Sequence, residues 1–261
     1  MKLKNISNFL IKLYPLKTQE EWDRCGLFFY EDLAQKIENV VVCLDITSDL
    51  IDFALANKAN LIVSHHPLFE ASDDFKVYPH VTRLVNRLKQ NNIATLFLHT
   101  CFDKANNGMN ESLAQALELS NIKRVPNSDY LVVGKLSNAL DFNTFVRRIK
   151  EKLNINEVRA LESKRPRKFN NVVICGGAGF GEMKTLIENK KVLTKEQYDV
   201  FLTGDIKWHN WLDSNENGIY VIDIGHIAEK IFIKKIAIDL KGEYNRLNIL
   251  TYEPKIKIKQ Y

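Results

Sequence analysis

Apolar residues in the first half of the chain alternate between helical spacing and short continuous runs. Ile6, Phe9, Leu10 and Leu13 lie on one face of a helix, and Pro15 predicts its end. The short apolar runs predict buried strands at residues 40–44, 61–63 and 93–98. Helical spacing predicts helices at residues 48–56, 81–88 and 111–119. This alternation is typical of βαβ units around a mostly parallel sheet covered on both faces.

The second half repeats this alternation after a turn-rich segment at residues 121–130. Its predicted strands cover residues 131–133, 172–175, 200–202 and 219–222, and its predicted helices cover residues 142–153, 183–189 and 227–236. The two halves do not align as a sequence repeat. We therefore predict an α/β protein of two three-layer lobes, residues 1–125 and 126–261, each with a mostly parallel sheet and helices on both faces.

Composition places the chain among soluble globular proteins. Of its 261 residues, 45% are hydrophobic and 26% are charged, which excludes a disordered or fibrous class. No segment approaches the roughly 18 consecutive apolar residues of a membrane-spanning helix. The four cysteines (Cys25, Cys43, Cys101 and Cys175) form no CxxC pair, which argues against a zinc ribbon or a disulfide framework. These features predict a reduced cytoplasmic protein without a membrane partner.

The charge of the chain does not by itself predict a nucleic-acid partner. Lys and Arg number 37 against 32 Asp and Glu, a net charge of +5, and the excess is spread along the chain. A mild, dispersed excess is typical of a solvated surface, so nucleic-acid binding stays open but has no specific support.

An apolar strand runs directly into two adjacent histidines, His65 and His66, followed by Pro67. In open α/β sheets, ligands bind beyond the carboxyl ends of the strands. Adjacent residues on an extended chain point to opposite sides, so this pair suits two neighbouring metal ions better than one. A structural pair, in which each ring is hydrogen-bonded to a carbonyl, is an equal alternative.

Two further predicted strands end in the same kind of residue. The strand at residues 93–98 leads to His99 and Asp103, and the strand at residues 219–222 leads to His226 and Glu229. Spacing of three places His226 and Glu229 on one face of a first helical turn. Asp103 could equally cap a turn, and Glu229 could compensate a helix dipole.

The coincidence of these signals predicts a metal centre. Four of the six histidines follow predicted strand ends. Three histidines and two carboxylates suit a pair of divalent ions such as Zn, Mn or Fe, whereas calcium or magnesium sites would be richer in oxygen. Asp205 and His209, at a fourth strand end, are candidate outer or substrate-facing groups.

The glycine-rich segment at residues 176–181 is similar in composition to a phosphate-binding loop, but its glycines do not have the spacing of one. The third position of a GxGxxG pattern is Glu182, and no Walker Lys-Ser/Thr follows. A tight strand-to-helix turn is the favoured interpretation, although approach to a phosphate stays open.

Together these motifs resemble the NGG-one-interacting factor three-like family, whose members are often labelled GTP cyclohydrolase type 2 homologs. The resemblance covers nearly the whole chain. It begins with a segment similar to E-x-W-D-N-x-G-L, in which Arg24 replaces the usual Asn, and it ends with the GH at 225–226. The other matching segments are SHHPL at 64–68, HTxxD at 99–103, GxN at 108–110, CGGAG at 175–179, TGD at 203–205 and DIGH at 223–226.

This resemblance implies that His65, His66, Asp103 and His226 ligate a dinuclear metal centre, with Asp103 between the ions. The family's last ligand is a Glu four residues after the GH histidine, where this chain has Lys230, so Glu229 is the expected substitute. The resemblance also implies two interlocked lobes assembled into a toroidal homohexamer.

The function expected from the resemblance is that of a metal-dependent hydrolase acting on a nucleotide, with the guanine ring of GTP opened at C8. Two ions would lower the pKa of a bridging water, and Glu229 or His99 would relay its proton. The alternative is a non-enzymatic metal-binding or regulatory scaffold that forms a toroidal oligomer and encloses a ligand or partner. The same residues serve both, so the sequence leaves the two open.

Overall fold

The computed structural model describes residues 1–70, 75–161, 168–189 and 198–253. The chain divides into two compact units: the first comprises Met1–Gly108 and Phe232–Tyr261, and the second comprises Met109–Ile231. This division differs from the predicted boundary at residue 125. The C-terminal helix and strand belong with the N-terminal unit, and residues 109–125 belong with the second unit.

Helices and strands alternate along most of the described chain. The helices are α1 (Leu3–Leu13), α2 (Ser48–Ala56), α3 (Pro79–Gln90), α4 (Thr100–Asp103), α5 (Met109–Ala116), α6 (Phe142–Leu153), α7 (Met183–Asn189), α8 (Trp208–Glu216) and α9 (Ile231–Glu243). The strands are β1 (Gly26–Phe28), β2 (Asn39–Cys43), β3 (Leu61–Ser64), β4 (Ala94–Phe97), β5 (Ser120–Arg124), β6 (Val132–Asp141), β7 (Arg159–Ala160), β8 (Lys168–Ile174), β9 (Val200–Thr203), β10 (Val221–Asp223) and β11 (Asn248–Tyr252). Single 3-10 turns cover Leu16–Thr18, Phe75–Val77, Gly179–Glu182 and His226–Lys230.

The sheet of the first unit has the order β1-β4-β3-β2-β11. Strands β4, β3, β2 and β11 are parallel, and β1 is added antiparallel to β4. All residues of β3 and β4 are buried, as expected for parallel strands covered on both faces. Helix α3 buries one stripe at helical spacing, formed by Val81, Leu84, Val85 and Leu88. The last strand, β11, pairs with β2 in register from Asn248↔Asn39 onward, which is why the C-terminal residues belong to this unit.

The sheet of the second unit has the order β5-β6-β8-β9-β10-β7. Strands β8, β9 and β10 are parallel, whereas the β5–β6, β6–β8 and β10–β7 pairs are antiparallel. The predicted α/β class is confirmed, but this second sheet is mixed rather than mostly parallel. The difference arises at β5 and β6, which pair as an antiparallel hairpin where the turn-rich segment predicts a boundary between lobes.

Helix α6 covers this sheet with Phe145, Ile149 and Leu153, all buried. The side chain of Asp141 accepts a hydrogen bond from the backbone N–H of Thr144 at 3.0 Å, which caps the helix where the amphipathic pattern begins. Among the described residues, no helix has the length and hydrophobicity needed to cross a membrane.

Candidate metal centre

The carboxyl ends of β2, β3 and β4 lie at one edge of the first unit's sheet, because these strands are parallel. Asp45 follows β2, His65 and His66 follow β3, and His99 follows β4. One ring nitrogen from each of the three histidines lies within 4.8 Å of the others, a spacing at which they could hold a metal ion. The first unit thus gathers three of the predicted site histidines.

Each of these imidazoles is held through its Nδ1 atom. The acceptor atoms are Leu98 O for His65 (2.9 Å), Asp45 Oδ1 for His66 (2.7 Å) and Asp23 Oδ1 for His99 (2.9 Å). A carbonyl oxygen can only accept, so His65 donates from Nδ1 and carries its lone pair on Nε2. An imidazole oriented in this way by an acceptor is the usual form of a histidine metal ligand.

His65 is fully buried, and its ring packs against Phe102 and Phe232 at centroid distances of 6.0 and 5.1 Å. Asp103 lies beside it on α4, with Oδ1 3.6 Å from Nε2 of His65. The first unit therefore places the carboxylate of Asp103 next to His65.

Asp23 is the residue of this unit that reasoning from the strand ends missed. It is 4% exposed, and its Oδ2 accepts from both the backbone N–H (2.9 Å) and the hydroxyl of Thr100. Burial alone would raise its pKa, but the hydrogen bonds and charge of His99 and the hydrogen bonds from Thr100 prevail and hold the pKa of Asp23 well below its usual range. Asp23 is therefore an ionised acceptor that fixes the ring of His99.

Asp45 is a second residue that was not predicted from the sequence, although its position after a strand could have indicated it. It follows a buried strand in the same way as the histidines do, and its carboxylate orients His66. Asp23, by contrast, lies in a loop that precedes β1, and no local pattern links it to His99, 76 positions further along the chain.

The second unit builds a corresponding edge from β8, β9 and β10, which are parallel. Asp205 follows β9 and His226 follows β10, with Nδ1 of His226 2.6 Å from Oδ2 of Asp205. Nε2 of His226 lies 2.8 Å from Oε2 of Glu229, which is 3% exposed. His209, the other group predicted at this strand end, is exposed on α8.

A 3-10 turn explains how Glu229 reaches His226. The predicted helix at 227–236 begins as a 3-10 turn, His226–Lys230, and becomes α-helical only at Ile231. Side chains three residues apart eclipse one another in a 3-10 turn, so Glu229 lies directly against His226. Lys230 donates instead to the backbone carbonyl of Asn154 at 2.7 Å.

The glycine-rich segment encloses the Glu229 carboxylate. Gly177 has φ +58°, and a Cβ at this position would lie 2.2 Å from Oε1 of Glu229. The backbone N–H of Gly204 donates to the carbonyl of Gly177 at 2.8 Å. The segment therefore makes a tight turn after β8, as favoured from the sequence, and its absent side chain leaves room for a carboxylate.

The donor atoms in both units suit a transition-metal ion. Imidazole nitrogen and carboxylate oxygen are the ligands preferred by Zn, Mn and Fe. Among the described residues, none of the clusters that could hold a metal includes a cysteine. Cys25 lies close to His99, since its thiol sulfur accepts a hydrogen bond from the backbone N–H of His99 at 3.3 Å.

An α/β protein with histidines and carboxylates gathered at the carboxyl ends of parallel strands belongs to the class of candidate metal-binding proteins. Residues 1–256 match the sequence model of the family described as Duf34/NIF3 (NGG1p interacting factor 3), and the chain belongs to this family. The family predicted from the motifs is thus confirmed.

Relatives and solved structures agree with this assignment. The chain is 37% identical to a GTP cyclohydrolase 1 type 2 homolog of Ureaplasma parvum, over 94% of this chain and 91% of the relative. It is 31% identical to the protein of the same name in Campylobacter jejuni, over 93% of each chain. It is also similar to the crystal structure of Staphylococcus aureus hypothetical protein SA1388, with a TM-score of 0.85, 26% identity, and coverage of 100% and 99%.

Proposed function

We propose that the chain is a dinuclear metal-binding protein that acts as a metal-dependent hydrolase on a nucleotide. The observation that carries the proposal is the pair of imidazoles His65 and His66, each held through Nδ1, with Oδ1 of Asp103 3.6 Å from Nε2 of His65. Such pre-oriented imidazoles lose little conformational entropy when an ion binds.

The proposed ligands come from both units. His65, His66 and Asp103 are the ligands from the first unit, and His226 and Glu229 are those from the second, with Asp103 between the two ions. The motifs of the family support this set, and so does the burial of Glu229 against His226. The metal is Zn, Mn or Fe by the chemistry of the donor atoms.

When bound, a pair of such ions provides Lewis acidity that lowers the pKa of water toward neutrality. The chain itself provides the proton relay. His99 is held by the ionised carboxylate of Asp23, which stabilises a positive charge on the ring after it accepts a proton. Glu229 is a second proton acceptor, in a buried environment. Both residues are therefore proposed as catalytic.

The names of the relatives support GTP as the substrate, and the family resemblance supports opening of its guanine ring at C8. Two relatives that the chain matches over more than nine-tenths of its length are called GTP cyclohydrolase 1 type 2 homologs. A related nucleotide or another phosphorylated small molecule fits the same chemistry. The test is turnover of GTP by metal-loaded protein, followed by chromatographic analysis of the products.

Metal analysis tests the ligand set independently of any substrate. We expect about two ions per chain in the purified protein. His65→Ala, Asp103→Ala and His226→Ala should each reduce this number to one or none, because each removes a ligand bond. His80→Ala, an exposed histidine on α3, is the matched control and should retain both ions. A full complement of metal in all three ligand variants would refute the set.

Metal binding without turnover of GTP, related nucleotides or phosphodiesters would support the other function, a non-enzymatic metal-binding or regulatory scaffold. For either function we propose a toroidal homohexamer, as the family resemblance implies. Sedimentation equilibrium should then give six times the 30.2 kDa mass of the chain. A monomer or dimer at micromolar concentration would contradict this assembly.

A further inference from the structure

The second unit contains a cavity that none of the proposed metal ligands lines. Its volume is about 390 Å³, within the range of small-molecule sites. The lining residues are Arg159, Ala160, Leu161, Trp208, Trp211, Leu212 and Asn215. Two of the chain's three tryptophans are therefore in one cavity, between the edge strand β7 and the helix α8.

Two apolar side chains of this cavity, Trp208 and Leu212, are not explained by packing in the core. Trp208 is 78% exposed and Leu212 is 51% exposed, whereas the buried residue of α8 is Ser214. Trp211 packs partly against the core of the unit, which fixes one wall. A largely exposed indole beside a half-buried one offers a flat apolar surface, and exposed apolar groups clustered in this way mark binding sites.

The polar groups of the cavity indicate what kind of flat ligand would bind. The guanidinium of Arg159 donates from Nε (3.1 Å) and Nη2 to the carboxylate of Asp223, which is 3% exposed. Nη2 also donates to the backbone carbonyl of Ile206 at 3.5 Å, so Nη1 is the guanidinium nitrogen of Arg159 that has no hydrogen-bond acceptor among the described residues. The ion pair with Asp223 thus fixes the plane of the guanidinium and leaves donor capacity at one end. A ligand with acceptor atoms on its edge would accept the remaining hydrogen bonds of the guanidinium.

We propose that this cavity binds a purine base, and guanine in preference to adenine. Indole rings stack on nucleobases, and a guanidinium donates to the paired O6 and N7 acceptors of guanine. Adenine presents one acceptor and one donor on the same edge, which a guanidinium cannot satisfy. The inference rests on the proposed function for the ligand being a nucleotide, and it assigns a place for the base.

The cavity is connected to His226 by two short segments. Asp223, the partner of Arg159, also accepts a hydrogen bond from the backbone N–H of Gly225 at 2.8 Å, immediately before His226. Trp208 begins α8 three residues after Asp205, the carboxylate that holds Nδ1 of His226. A base bound between Trp208 and Arg159 would therefore lie beside the segments that position a proposed metal ligand.

Tryptophan fluorescence tests the proposal without metal or turnover. In a Trp22→Phe background the remaining tryptophans are Trp208 and Trp211, so all indole emission comes from the cavity. GMP is the probe, and AMP and ribose 5-phosphate are its comparisons, all in the presence of a chelator. We expect saturable quenching by GMP, at least about tenfold weaker binding of AMP, and no saturable response to ribose 5-phosphate.

Variants separate the cavity from other sites. Trp208→Ala should weaken GMP binding at least about tenfold, because base stacking is lost. Since Trp208 is exposed, this variant should fold like the wild type. Arg159→Gln should reduce the preference for GMP over AMP, since an amide pairs with the acceptor and donor on the edge of adenine rather than with the two acceptors of guanine. Tyr78→Ala removes an exposed aromatic residue of the first unit and should leave GMP binding unchanged.

Three results would overturn the inference: no saturable quenching at millimolar GMP, equal binding by Trp208→Ala, or concentration-dependent self-association that Trp208→Ala abolishes without any GMP effect. The last would make the cavity a contact between copies of the chain. GMP binding by a wild-type protein that binds no metal would refute the proposed metal-dependent hydrolase and leave the base site standing. Metal binding without quenching by GMP would refute the base site and leave the proposed metal centre standing.

Discussion

The buried carboxylate of Asp23 and the partly exposed imidazole of His99 form a hydrogen-bonded pair, with Oδ1 2.9 Å from Nδ1. Asp23 also accepts from the backbone and the hydroxyl of Thr100, from the backbone N–H of Arg24 and from the thiol of Cys25, so five donors converge on one ionised side chain. The pair fixes the ring of His99 beside His65 and His66, whose centroids lie 5.1 and 5.5 Å away. A loop residue thereby determines the geometry of a site built at strand ends.

Asp23→Asn should lower the free energy of unfolding by about 2–4 kcal/mol at pH 7, because an amide cannot satisfy the donors that a carboxylate accepts. Urea denaturation measures this. Asp52→Asn is the control, since Asp52 pairs with Arg87 at an exposed site and should cost less than about 1 kcal/mol. Equal losses in the two variants would show that burial of Asp23 contributes nothing.

The effect of Asp23→Asn should also depend on pH in a defined direction. The folded-state pKa of Asp23 is lowered, so its contribution is complete above the unfolded pKa of about 3.9 and is lost as pH falls toward the folded value. The difference in stability between wild type and variant should therefore shrink from pH 7 to pH 3. A difference that stays constant or grows in acid would contradict the assignment of an ionised Asp23.

Gly177→Ala should displace the carboxylate of Glu229, because its Cβ would lie 2.2 Å from Oε1 and its backbone has φ +58°. We expect a loss of about 1–3 kcal/mol in stability and at least about tenfold weaker zinc binding. Gly181→Ala, in the same segment with no atom of the described residues within 4 Å of the new Cβ, should bind zinc normally. Zinc titration against a chromogenic chelator compares the two, and equal affinities would show that the turn does not hold Glu229 for metal.

Glu229→Gln should remove one metal-ligand charge with almost no change in size, and so reduce metal affinity about 10–100-fold. Lys230→Gln is its matched neighbour, at the position where the family has its glutamate. Because Lys230 bonds to the carbonyl of Asn154, this variant should keep the affinity of wild type. Isothermal titration with Zn or Mn measures both, and the opposite order of effects would assign the last ligand elsewhere.

Tyr14→Phe should destabilise the first unit by about 1.5–3 kcal/mol, since Tyr14 is 1% exposed and donates to the carboxylate of Asp239. Burial, together with the hydrogen bond and charge of Asp239, raises the pKa of Tyr14, so the phenol stays protonated as a donor. Tyr244→Phe removes an exposed hydrogen bond to Asn5 and should cost about 0.5–1 kcal/mol. Thermal or urea unfolding ranks the pair. The reverse ranking would show that the buried hydrogen bond of Tyr14 to Asp239 contributes less than the exposed one of Tyr244.

Much of the fold follows from local patterns. The predicted helices at 48–56, 142–153 and 183–189 coincide with α2, α6 and α7. Two of these begin at side-chain caps that the sequence displays, since Thr47 accepts from Leu50 and Asp141 accepts from Thr144. For these two helices the apolar periodicity and the capping residues agree, so the local sequence is enough to predict where they begin.

The strands missed from the sequence are mostly at sheet edges. Strand β5 is polar and exposed, and β7 has only two residues, so neither carries an apolar alternation. Strand β11 was missed because its pairing with β2 joins residues about 209 positions apart, from Asn248 to Asn39. That long-range pairing is also why a boundary at residue 125 could not be improved from local patterns.

The site shows the same limit. Strand-end reasoning selected His65, His66, His99 and His226, and the same rule applied to β2 would have found Asp45. It could not find Asp23 or the role of Gly177, whose contacts depend on loops brought together by folding. The position of Glu229 one residue before the family's glutamate is accommodated by a 3-10 turn that sequence spacing does not reveal.

Anomalous X-ray scattering from crystals soaked in Mn or Zn tests the dinuclear centre most directly. The account predicts two peaks per chain about 3.5–4 Å apart, contacted by the imidazoles of His65, His66 and His226 and by the carboxylates of Asp103 and Glu229. A single peak held by residues of one unit alone, or no peak at these side chains, would contradict it.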